Sequence, residues 1–259
     1  SGIGILIALP YTHVLIENVG WKGSLLALLA TSLFILPLAY FVSGKPEPRG
    51  STEINQSLRG ALREAATLPS YWLLNAGFFV CGFHLAFFGT HLPAYVADQG
   101  LDARVGVIAL TVVGLGNLFG TYLSGQSARF IPKKYGLSLI YAARALVFLG
   151  FLFLPVTPAM VIVLSAILGL LWLSTVPLTS GLVGTFFGSQ WMTMLYGIVF
   201  LSHQIGSFLG AWSAGLVFDA TKSYDVMWWI SVALGVFAAL IHLPIRESPV
   251  RRTNLQPAK

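Results

Sequence analysis

Long apolar runs separated by short polar breaks make up most of this chain. Residues 137–154 are typical, with Arg144 as their only charge. The runs are continuous and do not alternate with period two, so the ~10-residue alternating segments of a membrane β-barrel are absent. A lipid-facing backbone must bond internally, which leaves helices. At ~20 apolar residues per crossing, the pattern predicts eight spans. They cover residues 1–18, 22–42, 70–95, 104–125, 135–154, 159–183, 191–217 and 226–243. A polar stretch separates the second span from the third. It opens with Lys45-Pro46-Glu47-Pro48-Arg49 and continues as Ser57-Leu58-Arg59-Gly60-Ala61-Leu62-Arg63-Glu64. The second part reads as a short amphipathic helix at the interface.

Composition agrees with lipid as the main solvent. The 259 residues are 56% hydrophobic and 9% charged, whereas a soluble domain carries ~25% charged residues. The net charge of +6 is spread over loops and forms no basic groove, so nucleic acid is not an expected partner. One cysteine, Cys81, rules out an intrachain disulfide framework. The chain starts at Ser1 inside an apolar run with no leader pattern ahead of it, so the N-terminus is expected to be a truncation.

Charge placement supports the span count. If the spans alternate in direction, Lys45, Arg49, Arg59, Arg63, Arg129, Lys133, Lys134, Arg246, Arg251, Arg252 and Lys259 share one side. Lys22, Arg104 and Lys222 occupy the other. The positive-inside rule makes the first side, with the C-terminus, cytoplasmic. The expected fold is an all-α polytopic membrane helix bundle. Residues 1–43 form two helices, 44–69 a cytoplasmic linker, 70–245 a six-helix half and 246–259 a cytoplasmic tail. Six-helix halves joined by a linker are transporter architecture. Two plus six fits such a carrier with its first four spans missing.

Three stretches carry a family resemblance. Gly125-Gln126-Ser127-Ala128-Arg129-Phe130-Ile131-Pro132-Lys133-Lys134 looks like a degraded copy of the Gly-x-x-x-Asp-Arg-x-Gly-Arg-Lys loop of the major facilitator superfamily, with Ala128 where an acidic residue is usual. Residues 200–219, which include His203-Gln204-Ile205-Gly206, resemble the eleventh helix of its bacterial monocarboxylate-porter-like and oxalate/formate-antiporter-like members. Tyr141-Ala142-Ala143-Arg144-Ala145-Leu146 resembles their ninth. The resemblance implies the last eight of twelve helices and residues 1–43 as the end of the N-terminal half. It also implies secondary transport by alternating access in a membrane, expected to be the bacterial cytoplasmic membrane. The partners it implies are a small solute such as a monocarboxylate, the bilayer and the N-terminal helices, with a proton as coupling ion if the carrier is proton-coupled. No cofactor or metal is implied, nor any enzyme activity.

Polar side chains inside spans are costly and mark cavities or helix contacts. Cys81, His84, Phe88 and His91 share one helix face. His84 and His91 are therefore cavity candidates, against histidines satisfied by a neighbouring helix. Gly114, Asn117, Thr121 and Ser124 form a second stripe, with Asn117 facing a cavity or bonding another helix. His203 and Gln204 sit mid-span beside the small pair Gly206 and Gly210, which suits close helix approach. Thr175 is a further cavity candidate, and Pro177 predicts a kink or gate in the sixth span. Arg144 is the only Arg or Lys inside a span and is either structural or an anion-pairing cation. No Asp or Glu lies mid-span. HExxH, GxSxG and paired aspartates are missing, which counts against an intramembrane enzyme. A channel or receptor remains the alternative to a carrier.

Overall fold

The computed structural model describes residues 2–42 and 56–250, and all of its regular structure is helical. Lys45, Arg49, Arg251, Arg252 and Lys259, the first part of the predicted linker (44–55) and the end of the predicted tail lie outside the described residues. The elements are α1 (Gly2–Leu33), α2 (Ile35–Val42), α3 (Leu58–Thr67), α4 (Pro69–Asp98), α5 (Ala103–Ser127), α6 (Lys133–Phe153), α7 (Pro158–Leu171), α8 (Thr175–Phe187), α9 (Met192–Thr221) and α10 (Asp225–His242).

By length and apolarity, seven helical stretches among the described residues can cross a membrane, the first being Pro10–Phe41. The sequence predicts eight. The difference lies at Gly20, whose φ of 70° and ψ of 175° interrupt α1. Residues with side chains rarely adopt that conformation. Beyond it the chain reverses. Tyr11 Oη lies 3.2 Å from Thr31 Oγ1, although twenty residues of straight helix span ~30 Å. α1 is therefore a helical hairpin turned at Gly20, and two spans precede the linker region. The small offset between α1 and α2 follows from Pro37, which cannot donate to the Leu33 carbonyl one turn back.

The sixth predicted span is also interrupted. The structure splits it into α7 and α8, with Trp172, Leu173 and Ser174 between them. The bend was expected at Pro177, and it falls one turn earlier. Pro177 has no N–H for the Leu173 carbonyl and its ring crowds that carbonyl. The chain leaves the helix there and restarts at Thr175, which places Pro177 in the tolerant first turn of α8.

Two helix crossings set the shape of the six-helix unit. α4 packs along α9, and α5 along α7. In the first, a Cβ on Gly206 would strike the Phe79 carbonyl, and one on Gly210 the Phe83 carbonyl. In the second, a Cβ on Gly169 would lie 2.7 Å from Val113 Cα. Small residues permit this backbone approach. α6 and α10 pack together, and α1 rests on α5.

The interior has two apolar cores. One gathers Phe87, Phe88, Phe148, Phe151, Trp172 and Trp228. The other gathers Tyr71, Phe78, Leu137, Tyr141, Leu182 and Leu195. Along α4 the second core runs to Cys81 and the first begins at Phe83. Along α6 they are divided by Arg144, and on α9 by His203. A thin polar layer therefore crosses the bundle at mid-depth.

The ends carry opposite charge. Arg59, Arg63, Arg129, Lys133, Lys134 and Arg246 lie at one end, where Lys133 pairs with Glu247 at 3.7 Å and Arg246 N donates to Ser70 Oγ at 3.1 Å. Asp98, Asp102, Asp219 and Asp225 lie at the other, with Arg104 and Lys222.

Candidate functional site: a clamped helix break beside a polar stripe

A backbone break at membrane depth leaves N–H and C=O groups without helical partners, and water is not there to take them. Here side chains take them. Arg144, fully buried on α6, donates from Nη2 to the Leu171 carbonyl at 2.6 Å and to the Trp172 carbonyl at 2.5 Å. Asn117 Oδ1 on α5 accepts from Leu173 N at 3.0 Å and from Thr121 Oγ1 at 3.0 Å. Ser124 Oγ donates to the Ser174 carbonyl, and Ser174 Oγ to the Leu170 carbonyl at 2.5 Å. The guanidinium thus sits at the C-terminal end of α7, where the helix dipole favours a cation.

Arg144 also ties the break to α4. Its Nη1 lies 3.4 Å from Cys81 Sγ, and that sulfur lies 3.3 Å from Thr175 Oγ1, at the start of α8. Its guanidinium sits 5.3 Å from the Tyr141 ring centroid. Tyr141 Oη in turn donates to the Gly77 carbonyl at 2.7 Å. One cation therefore links α4, α6, α7 and the foot of α8.

His203 closes this layer from α9. It neighbours the Cys81 thiol, its Nδ1 lies 3.1 Å from Gln204 Oε1, and its ring stacks on Phe200 at 5.3 Å. Two buried nitrogens here, Arg144 Nε and His203 Nε2, have no hydrogen-bond partner among the described residues.

α9 shows three faces at helical spacing. His203, Gly206 and Gly210 are buried. Leu201, Ile205, Phe208 and Trp212 are apolar and at least half exposed (59%, 50%, 63% and 53%), as a lipid face should be. Phe200, Gln204, Ser207 and Ala211 form the third. Gln204 is exposed at mid-helix, where a bare amide facing hydrocarbon would be costly. This stripe is the part of the polar layer that reaches the surface of the bundle.

The other candidate residues divide by position. Thr175, Asn117 and Arg144 all join the break, and Pro177 lies in the first turn beyond it. Gly206 and Gly210 form the α4–α9 crossing. His84 takes the second of its two expected placements, satisfied by a neighbouring helix. It is 1% exposed, donates from Nε2 to the Ser231 carbonyl of α10 at 2.9 Å and packs edge-on to Phe148 at 4.8 Å. Its shared face with Cys81 is real, but that face points into the bundle. His91 is separate again, near the acidic end. Its Nε2 donates to the Ala211 carbonyl at 2.9 Å, which leaves Nδ1 to accept from Tyr224 Oη at 3.1 Å. Burial, with Asp98 and Asp219 nearby, raises the Tyr224 phenol above its ordinary pKa and keeps that donor proton in place. The three histidines therefore form three sites, not one.

Sequence reasoning passed over Tyr141, and also His242, which is 1% exposed, stacks on Tyr141 at 5.1 Å and fills the space over Gly77. Its position at the end of the last apolar run was the available signal.

With the geometry in hand, comparison with known proteins gives a consistent result. The family model described as Major Facilitator Superfamily matches residues 1–211. An uncharacterized MFS-type transporter, YcxA of Bacillus subtilis (strain 168), is 22% identical over 252 residues, covering 94% of this chain and 61% of the relative. Monocarboxylate transporter 13 of Rattus norvegicus is 23% identical, covering 99% of this chain and 61% of the relative. The chain thus spans about 61% of the length of these curated relatives. Among solved structures, a bacterial homolog to the human lysosomal transporter Spinster, in an inward-facing and unoccupied conformation, is similar with a TM-score of 0.58. It is 15% identical, with 96% of this chain and 70% of that chain covered, which is a likeness of fold.

Proposed function

The chain belongs to the Major Facilitator Superfamily, and we propose that it acts as a secondary transporter carrying a small organic anion, such as a monocarboxylate, by alternating access. The observation that carries this reading is a membrane helix broken at mid-depth beside the exposed Gln204 stripe of α9. Discontinuous helices at the midplane are where carriers of this kind bind solute and flex. The names of the monocarboxylate transporter relatives support the substrate class.

On this reading the two arms of the hairpin turned at Gly20, the second continued by α2, are the last two helices of one six-helix half, and α4 to α10 form the other. The basic end is cytoplasmic, in keeping with its excess of Arg and Lys. Gln204 and His203 contact the solute from α9. A His can donate to a carboxylate in either protonation state. Arg144 is a positioning residue: it holds the α7–α8 break, and Asn117 braces the same break from α5. Close glycine crossings let α4 and α9 move as one rigid pair during rocking.

Counterflow tests the reading. Proteoliposomes of the full-length protein, preloaded with unlabelled monocarboxylate, should accumulate labelled monocarboxylate transiently and saturably, and His203→Ala should abolish this. Flux that neither saturates nor responds to trans substrate would overturn it in favour of a channel.

A further inference from the structure

The polar layer accounts for the middle of the molecule. The basic end holds a second feature with no role in transport as argued above. α3 ends one residue before the membrane helix α4, joined by Leu68 alone, and so lies where the chain enters the bilayer. Ala61 and Ala65 are its buried face. Leu58 and Leu62, 49% and 39% exposed, form an apolar stripe with Ala66. That stripe continues onto Trp72, 57% exposed, whose Nε1 donates to the Ala66 carbonyl at 2.9 Å. Arg59 and Arg63, one turn apart and exposed, run along its flank. Among the described residues neither arginine has a carboxylate within ion-pair distance; the nearby acid at this end, Glu247, pairs with Lys133. Glu64 lies on the other side of α3, bonded to Gln56. Arg59, Leu62, Arg63 and Ala66 line one open groove with Ser57 and Gly60.

We propose that this face of α3 binds the anionic phospholipid of the adjoining leaflet. The occupant follows from three features found together. An apolar stripe level with the start of a span meets acyl chain rather than water. An indole at the same level is an interfacial anchor. Two arginines at helical spacing, with no carboxylate partner among the described residues, offer planar, forked donors matched to a phosphate. A zwitterionic headgroup would leave the pair of cations half-compensated, so net negative lipid is preferred. The basic end as a whole adds to the attraction, since Arg129, Lys133, Lys134 and Arg246 lie on the same side. Because α3 is joined directly to α4, lipid held there sets where α4 starts in the bilayer, and α4 carries Cys81 and the α9 crossing. Lipid charge thereby acts on the helix that the transport site is built against.

The test uses the full-length protein in nanodiscs, with Cys81 and every other native cysteine replaced by Ser and Leu62→Cys carrying an environment-sensitive fluorophore. Ala66→Cys serves as a second position in case the first disturbs the helix. Brominated phosphatidylglycerol is expected to quench the label more strongly than brominated phosphatidylcholine at equal mole fraction, with a preference of roughly fivefold for each arginine engaged. Arg59→Gln with Arg63→Gln should bring the preference close to parity while the melting temperature stays unchanged. Equal quenching by both lipids, or a preference undiminished by the double substitution, would overturn the proposal. So would the absence of quenching by either lipid, which would mean that protein covers the face. None of these readouts depends on transport, so failure here is distinct from failure of the carrier reading.

Discussion

The chain leaves helical geometry at Gly20 and again at 172–174, and the two breaks are made differently. At Gly20 the break is local. A glycine backbone supplies the turn, Ser24 Oγ takes the Gly20 carbonyl at 2.7 Å, and the neighbouring residues are exposed. At 172–174 the break is buried, and its groups are taken by Arg144, Asn117 and Ser124 from two other helices. The contrast follows from solvent. A turn at the membrane edge has water and headgroups to satisfy it, and needs only a residue that can adopt the conformation. A break at mid-depth has none, and needs polar side chains brought from elsewhere. The first kind reverses the chain. The second leaves the helix direction broadly intact and places a polar layer between two apolar cores.

This difference can be broken experimentally. Arg144→Leu should have the largest effect, because it strips the donor from two buried carbonyls at about 1–3 kcal/mol each. Thermal unfolding of the purified full-length protein in detergent should show a large drop, with Arg144→Lys in between because a point cation replaces a planar fork. An Arg144→Leu protein that melts like wild type would mean the break is not clamped. Gly20→Ala comes next. It forces a side chain into backbone that is nearly glycine-only, at ~1–3 kcal/mol, and the same melting assay measures it. Asn117→Leu exposes one N–H, that of Leu173, and should cost ~1–2 kcal/mol. Pro177→Ala should have the smallest effect, within ~0.5 kcal/mol of wild type. Proline explains where the helix parts, but the partners now hold it, so restoring one N–H changes little. If Pro177→Ala instead shifts stability as much as Arg144→Leu, the buried break is as local as the one at Gly20.

The same contrast explains what the sequence could reveal. The turn at Gly20 was legible because Glu17, Asn18, Gly20 and Lys22 interrupt an apolar run within six residues. Pro177 likewise signalled a disturbance in the sixth span, though one turn late. The clamp was not legible, since Asn117 and Arg144 reach the break from 56 and 27 residues away in sequence. Nothing local distinguishes Arg144 as a helix clamp from Arg144 as an anion partner. His84 shows the other limit. Helical spacing tells which residues share a face, and it correctly grouped His84 with Cys81. It does not tell whether that face meets lipid, solute or another helix, and here it meets α10. On α9 the composition of the faces supports a reading. The stripe of Leu201, Ile205, Phe208 and Trp212 is what lipid requires, which leaves the stripe with Gln204 for a wetter environment.

That assignment is the centre of the account, and cysteine accessibility tests it most directly. In full-length protein with Cys81 and every other native cysteine replaced by Ser, Gln204→Cys and Ile205→Cys place a thiol at adjacent positions on the two faces. The account predicts that a hydrophilic maleimide modifies Gln204→Cys, that transported solute slows the modification, and that Ile205→Cys stays unreactive in the bilayer. Equal reactivity at both positions, or reaction at Ile205→Cys alone, would contradict it.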